Sequence, residues 1–561
     1  MEGTVQNGMM TYDLTAQLGT KEFLPGLQTD TWGYNGDFLG PTLMLRKGDQ
    51  VMLRVTNDIG FTTTTHWHGM HVPAIMDGGP HQRIEPGETW TASFEVLNRA
   101  ATYWYHPHPH AMLTQGVIFD PEGTGYQVYQ GLAGMMIVED DTSDTLPLPR
   151  SYGLDDIPII LQDRRFNVDG SLLHFPSDFN PATDPALRKG GNFLVNGVEA
   201  PILDVGAQVI RLRILNASNA RVYNLGFSDN RTFYQVVSDG GFLAAPVAMS
   251  RLIMAPAERA EILLDLGLDE GQTVTLRSFN GGNGSTFVPR PLQDAWDTSD
   301  FDLLEIQVGS PTNDAVLTLP GNLASVVRIT ESESVNVESP RLFELNANPF
   351  GINGKRMDMS IIDQRIRLGD TEVWEITNPN TQAHPFHVHG DSFQILTRDG
   401  APPPEHELGW KDVVLVRPNE TVRIIKRFHD YADPVNPYMF HCHILEHEDV
   451  GMMGQFVVED SQATTIEEEP DSAKAALDVK TYPNPFSNTT TILFTLLESS
   501  HIRLTVYDAL GRKVEQVVDG RYGIGTHSVN FNAESLPTGL YVYRFDLPNG
   551  RSLTGKLVHI D

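Results

Sequence analysis

Residues 441–452 read HCHILEHEDVGM and contain Cys442, the only cysteine in the 561-residue chain. A single cysteine excludes an intrachain disulfide, and its place between His441 and His443 favours a metal thiolate. Alternate side chains of a strand share a face, so Cys442 points away from both histidines and serves a different metal from theirs. With two histidines and the methionine Met452, a cysteine forms the ligand set of a blue-copper electron-transfer site.

Three more histidine patterns lie upstream, at residues 66–68 (HWH), 106–108 (HPH) and 384–389 (HPFHVH). The chain has five HxH spacings, against roughly 0.6 expected by chance for its histidine content. On a strand, such a pair lies about 6.6 Å apart and offers two imidazoles to one ion, or one each to two neighbouring ions. Because the pairs come from opposite ends of the chain, the simplest assembly is a metal cluster bridging the first and third domains.

Strand patterns dominate the rest of the sequence and predict an all-β protein. A turn followed by an alternating strand that ends at Asn recurs at 45–58, 203–218 and 366–380, which predicts three related sandwich domains. The expected domain ranges are 1–141, 142–312 and 313–460. The acidic stretch 461–475 predicts a flexible linker, and residues 476–561 predict a small fourth β-sandwich.

The net charge is −32, which argues against nucleic acid and anionic membranes as partners. No apolar run is long enough to span a bilayer. The N-terminal sequence MEGTVQNGMM lacks the basic and apolar regions of a signal peptide, so the chain is either cytoplasmic or has lost a leader.

Five motifs, in order, resemble those of three-domain multicopper oxidases of the bacterial laccase, copper-efflux oxidase and bilirubin oxidase group. They are THWHGMHVP, YWYHPHPH, GLAGMMIVED, AHPFHVHG and HCHILEHEDVGMM, and the resemblance covers about residues 30–460. It implies three consecutive cupredoxin-like Greek-key sandwiches and four copper ions.

The resemblance also implies which residues bind each copper and how electrons move. A type 1 copper is expected on His384, Cys442, His447 and Met452, a type 2 copper on His66 and His387, and a type 3 pair on His68, His106, His108, His389, His441 and His443. Electrons from a reducing substrate would pass from Cys442 to the other three ions, where dioxygen is reduced to water. An axial Met, rather than Leu or Phe, implies a lower type 1 potential.

Two acidic residues match positions that resemble proton donors in bacterial relatives. Asp77 precedes two glycines and Glu448 lies in LEHEDV. Oxygen reduction consumes protons, so both are expected to act as acids. The alternatives are that Asp77 only shapes a turn and that Glu448 caps a helix. His110 extends HPH but is expected to be a loop residue or a neighbour of the ligands rather than a ligand. KRMDMS (355–360) is expected to be an ordinary strand rather than a soft-metal site.

The tail resembles a second family, the type A C-terminal sorting domains of the type IX secretion system. The motifs are TYPNPFSNTTTILFTL, VYDALGRKV, LPTGLYVYRF and GKLVHI. This resemblance implies export by that machinery to the cell surface or medium, and a leader absent from this sequence. The alternative is a small accessory sandwich that binds a carbohydrate or stabilises the chain.

The motifs therefore predict a laccase-like oxidase whose partners are dioxygen and a small phenolic or aromatic reductant. Oxidation of low-valent metal ions, Cu(I) or Mn(II), is a close rival. A copper-sequestering surface protein is the non-enzymatic alternative. A copper nitrite reductase is disfavoured because it would lack the His-Cys-His pattern.

Overall fold

The structure is a computed structural model of the chain. It describes residues 1–6, 8–110, 120–174, 189–283, 297–347, 350–460, 477–482, 484, 486–496, 499–508, 512–523, 525–546 and 552–560. The chain divides into two compact units, Met1–Ala463 and Thr464–Asp561.

The first sandwich of the larger unit is built from nine strands in two sheets. They are β1 (Thr4–Gln6), β2 (Met9–Leu24), β3 (Leu27–Tyr34), β4 (Leu43–Arg46), β5 (Gln50–Asp58), β6 (His66–His68), β7 (Thr89–Glu95), β8 (Ala101–His106) and β9 (Gly134–Glu139). One sheet has the order β1-β2-β5-β7, with β3 paired to β2, and the other β4-β9-β8-β6. Burial alternates along β5, so Val51, Leu53 and Val55 face the core and the intervening residues are only half-buried.

The second sandwich has twelve strands among the described residues. They are β10 (Asp156–Arg164), β11 (Asn192–Val195), β12 (Val198–Glu199), β13 (Ile202–Gly206), β14 (Val209–Asn216), β15 (Tyr223–Phe227), β16 (Phe233–Ser238), β17 (Gly241–Met249), β18 (Leu252–Met254), β19 (Arg259–Asp265), β20 (Thr273–Phe279) and β21 (Asp300–Gly309). Its sheets have the orders β12-β11-β10-β14-β19-β16-β17 and β13-β21-β20-β15-β18. Every residue of β14 is buried, because that strand is covered on both faces.

The third sandwich carries the later histidine patterns. Its strands are β22 (Arg341–Ala347), β23 (Phe350–Ile352), β24 (Gln364–Arg367), β25 (Thr371–Asn378), β26 (His384–Val388), β27 (Phe393–Arg398), β28 (Val413–Val416), β29 (Glu420–Arg427), β30 (Asp433–Cys442) and β31 (Met453–Glu459). They form sheets of order β23-β22-β25-β29-β27 and β24-β31-β30-β26-β28. KRMDMS, expected as a strand, is mostly loop: only Lys355 makes an isolated bridge, and the Asp358 carboxylate bonds to Ser360 in a turn.

Helices are few and short in the described part of the chain. They are α1 (Thr124–Gln130), α2 (Asp141–Thr145), α3 (Asn280–Asn283) and α4 (Leu445–Asp449), with 3-10 turns at Ala74–Met76, Glu331–Glu333 and Glu405–Glu407. None of these is long and apolar enough to cross a bilayer.

Buried side chains join the three sandwiches into one body. Trp104, Ile160, Leu215 and Val413, which come from all three, belong to a single apolar cluster. Beyond β21 the chain returns to the first sandwich, where Leu323 packs into its core. The all-β prediction is confirmed, while the boundaries at 141 and 312 stay predictions.

The smaller unit is a separate sandwich with its own core. Its strands are β32 (Leu477–Tyr482), β33 (Thr489–Leu496), β34 (Ser500–Asp508), β35 (Lys513–Tyr522), β36 (Gly525–Asn532), β37 (Gly539–Asp546) and β38 (Ser552–His559). The sheets, β32-β33-β36 and β35-β34-β37-β38, enclose Phe494, Leu504, Phe531 and Phe545. The predicted linker, 461–475, lies outside the described residues.

Candidate metal centre

Strand register brings the histidine patterns opposite one another. In the first sandwich β6 pairs with β8, so His66 faces His106. In the third, β26 pairs with β30, so His387 faces His441 and Phe386 faces Cys442. Since neighbouring residues of a strand point to opposite faces, Cys442 and its flanking histidines are directed to separate places.

Eight histidines converge between the first and third sandwiches, and each is at most 1% exposed. They form groups in which three ring nitrogens lie within 4.8 Å of one another. The groups are His68, His106 and His443; His108, His389 and His441; and His66, His68 and His387. Three of the HxH pairs, 106/108, 387/389 and 441/443, are divided between neighbouring groups, which is the second arrangement that the strand spacing allowed. His66 and His68 share a group with His387, which is the first arrangement.

Cys442 lies in a fourth group beneath the surface of the third sandwich. Its Sγ is 3.5 Å from Nδ1 of His384 and 3.7 Å from Nδ1 of His447. Met452 is fully buried in the same core cluster, and its carbonyl accepts a hydrogen bond from the Cys442 N–H at 3.0 Å. Burial raises the pKa of the Cys442 thiol, so without a bound cation the sulfur keeps its proton.

The imidazoles fit metal ions because several of their nitrogens are otherwise unsatisfied. The described residues offer no hydrogen-bond partner to Nε2 of His66, Nε2 of His387 or either ring nitrogen of His443, although buried polar atoms are normally paired. Burial also lowers the pKa of His384 and His106 to about 3. These rings are therefore neutral, which is the form that binds a metal.

Hydrogen bonds to main-chain carbonyls fix which nitrogen of each ring faces the cluster. Nδ1 of His66 donates to the Asp77 carbonyl at 2.8 Å, and Nδ1 of His387 donates to the Asp412 carbonyl at 2.8 Å. Both rings keep Nε2 for a metal. His68 is reversed, because its Nε2 lies 3.1 Å from Oδ1 of Asp412 and its Nδ1 is left for the metal.

Asp77, one of the two predicted acids, lies directly beside the cluster. It is 1% exposed, and its Oδ2 accepts a hydrogen bond from Nδ1 of His389 at 2.6 Å. Burial raises the pKa of its carboxyl. A side chain at Gly78, which has φ +75°, would meet the Thr65 carbonyl at 1.8 Å, so glycine permits the turn that presses Asp77 against β6.

Glu448, the other predicted acid, spans two imidazoles of the cluster. Its carboxylate oxygens lie 3.4 Å from Nδ1 of His108 and 3.1 Å from Nδ1 of His441. Burial would raise the pKa of this carboxyl, but His108 and His441 hold it below its ordinary value. Glu448 lies inside α4 rather than at its cap.

Helix α4 is attached to both other sandwiches by side chains that no sequence motif indicates. Oδ1 and Oδ2 of Asp449 accept hydrogen bonds from the N–H groups of Thr124 and Gly125 at 2.8 and 2.9 Å. Oε1 of Glu446 accepts from Asn219 at 2.8 Å. Sequence spacing gives no signal for these contacts. His110 is half-buried and joins none of the metal-sized groups among the described residues.

The molecule contains a buried cluster of imidazoles and, connected to it through the strand that carries Cys442, a second buried group of ligand residues. This arrangement is that of a metal-binding protein with two connected centres. The chain belongs to the multicopper oxidase family. Residues 15–143 and residues 331–462 each match a sequence model of that family, described as Multicopper oxidase.

Individual relatives cover most of the larger unit. Multicopper oxidase mco of Staphylococcus haemolyticus is 37% identical over 81% of this chain and 89% of its own length. Cell division protein FtsP of Photorhabdus laumondii is 33% identical over 79% and 88%. A solved structure of the laccase-like multi-copper oxidase CueO from Ochrobactrum sp. has a TM-score of 0.70 and 36% identity, covering 80% of this chain and 97% of its own. The predicted cupredoxin-like architecture is confirmed.

The prediction of a C-terminal sorting domain is also confirmed. Residues 480–560 match the sequence model of a family described as Secretion system C-terminal sorting domain.

Proposed function

We propose that this chain is a laccase-like oxidase that removes single electrons from phenolic or aromatic reductants and reduces dioxygen to water. One observation carries the proposal: His441 and His443, which flank Cys442, belong to two different imidazole groups. An electron leaving the Cys442 sulfur can therefore reach either group through a short stretch of main chain.

The donor sets support four copper ions in the arrangement that the resemblance implies. Type 1 copper would be held by His384, Cys442, His447 and Met452; type 2 by His66 and His387; and the type 3 pair by His68, His106 and His443 on one side and His108, His389 and His441 on the other. When bound, these ions supply one-electron redox chemistry beside the cysteine and a reduction site for dioxygen within the cluster.

Asp77 and Glu448 are suited to transfer protons where oxygen is reduced. Asp77 is suited to act as a donor, because burial raises the pKa of its carboxyl. Glu448 is suited to act as a carboxylate that accepts a proton and passes it on, because His108 and His441 outweigh burial and lower its pKa. Each is buried and within hydrogen-bonding distance of at least one cluster imidazole, and both contact members of the group His108, His389 and His441. A carboxyl held against the reacting centre transfers protons without waiting for bulk water. We assign both residues this role.

The histidines beside Cys442 are covered by other side chains, so a reductant has to transfer its electron across a short stretch of protein. His384 and His447 are both 0% exposed, and the half-buried ring of Phe350 stacks on His447 with 4.1 Å between ring centroids. A reductant therefore meets a covering side chain rather than a ligand imidazole. The Ochrobactrum relative, described with activity towards lignin model compounds, supports phenols as the substrate class.

The experiment is copper analysis and oxygen uptake of the full chain and of Cys442→Ser. The wild-type protein should hold about four copper ions, show the blue thiolate-to-copper band and consume oxygen with a phenol in the absence of added copper. The variant should lose the band and the uptake while it keeps cluster copper. Turnover that requires excess Cu(I) or Mn(II) would favour metal-ion oxidation, and copper-loaded protein inert to every reductant would favour sequestration.

The sorting domain supports a secreted or cell-surface location, reached through the type IX secretion machinery. Copper loading outside the cytoplasm agrees with that location. Detection of the chain in the medium or on intact cells, and its loss on deletion of residues 480–560, tests this assignment.

A further inference from the structure

The second sandwich provides none of the proposed copper ligands, yet one of its arginines binds a carboxylate that contacts the cluster. Arg259, at the start of β19, is 1% exposed. Its Nη1 and Nη2 donate to Oδ1 and Oδ2 of Asp412 at 2.6 and 2.5 Å, a bidentate pair that fixes the carboxylate plane.

The guanidinium is held in place from the first and second sandwiches as well. Nε donates to the Thr102 carbonyl of β8 at 3.1 Å. Nη1 also donates to the Ala257 carbonyl at 3.1 Å, and Nη2 to the Asp239 carbonyl at 2.9 Å. Every N–H direction of Arg259 is thus used, and the arginine has one orientation.

Asp412 in turn contacts two of the cluster imidazoles. Its Oδ1 accepts from Nε2 of His68, and its main-chain carbonyl accepts from Nδ1 of His387. These rings belong to different sandwiches and stack with 3.8 Å between their centroids. Gly69, which has φ +82°, allows the close approach, since a side chain there would lie 2.5 Å from Oδ2 of Asp412.

We propose that Arg259 is a positioning residue for the copper cluster, acting through Asp412 to fix the orientation and the proton position of His68 and His387. The second sandwich thereby controls how tightly metal is held between the other two. The inference rests on the proposed copper-binding function and extends it to a residue that touches neither metal nor substrate.

Arg213 of β14 provides a matched control. It is also 1% exposed, and its guanidinium donates to Asp156, Glu261 and Glu139. Replacing either arginine by methionine removes a buried ion pair that joins the second sandwich to a neighbour. Only Arg259 pairs with the carboxylate that orients His68.

The experiment compares Arg259→Met, Arg213→Met and wild-type full chains after copper loading. Each is titrated with a chelator while the type 2 electron paramagnetic resonance signal and the blue band are recorded. For Arg259→Met, the chelator concentration that removes half of the type 2 signal should fall about 10- to 100-fold, the usual effect of losing a partner of a metal ligand. The blue band, which reports on Cys442, should resist as in wild type.

Two further variants keep the test informative if Arg259→Met folds poorly. Arg259→Lys retains the charge but cannot donate two parallel bonds, so an intermediate shift is expected. Arg259→Met combined with Asp412→Asn removes the unpaired charge and keeps an oxygen that accepts from His68, so it should recover part of the type 2 signal relative to Arg259→Met alone.

The possible outcomes distinguish failure of the positioning role of Arg259 from failure of the oxidase proposal. Equal chelator sensitivity of Arg259→Met and Arg213→Met would show a general effect of stability and overturn the positioning role, while leaving the oxidase proposal intact. Loss of the blue band together with the type 2 signal would likewise overturn it. A wild-type chain that binds no copper would overturn both.

Discussion

Replacement of Asp449 by alanine should detach α4 from the first sandwich. The Asp449 carboxylate, 4% exposed, accepts the two N–H bonds that begin α1, from Thr124 and Gly125. The same short helix carries His447 beside Cys442 and Glu448 beside the cluster. The change therefore acts on stability and on both centres at once.

The expected loss follows from the two bonds. Hydrogen bonds to a charged group contribute about 1.5–3 kcal/mol each, so their removal should lower the free energy of unfolding by about 3–6 kcal/mol. That is a large share of the roughly 5–15 kcal/mol that stabilises a folded protein. Asp449→Asn keeps one acceptor oxygen and should lose about half as much.

Urea unfolding, followed by tryptophan fluorescence, measures the loss, and the blue band of copper-loaded protein reports on His447. Asp140→Ala is the control. The half-buried Asp140 caps α2, because its Oδ1 accepts a hydrogen bond from the Ser143 N–H at 2.8 Å. That variant should lose about 0.5–2 kcal/mol and keep its spectrum. An Asp449→Ala variant that loses no more unfolding free energy than the control, or that keeps an unchanged blue band, would refute this role of Asp449.

Three further outcomes are expected. Glu448→Gln should slow oxygen reduction by about 100-fold or more while anaerobic reduction of the blue centre keeps its rate; equal slowing of both steps would contradict the proton role. Met452→Leu should raise the type 1 reduction potential, whereas Met453→Leu, also buried, should not, and similar shifts would refute the axial assignment. A chain ending at residue 463 should fold and bind copper, because each compact unit has its own core; an insoluble or copper-free product would show that the units depend on each other.

The sequence predicted the features that follow from local geometry. Period-two alternation is a property of any strand, so HWH, HPFHVH and HCH could be placed on strands and Cys442 on the face opposite His441 and His443. The count of HxH spacings identified the segments whose histidines form the metal-sized groups, although His110, a member of one counted pair, joins none of the groups among the described residues.

Other features could not be predicted because they depend on tertiary contacts. Arg259 and Asp412 are 153 residues apart, and Thr124 and Asp449 are 325 apart. A buried ion pair or a helix cap between distant residues leaves no spacing to recognise. The strand predicted for KRMDMS was wrong for a related reason. Asp358 and Ser360 form a turn there, and such side-chain hydrogen bonds compete with strand pairing.

The most direct measurement is anomalous X-ray scattering at the copper absorption edge from crystals of the copper-loaded chain. We expect four strong peaks, one beside Cys442, His384 and His447 and three within the groups of cluster imidazoles. Peaks confined to surface residues, or an empty cluster in protein that still consumes oxygen with a phenol, would contradict it.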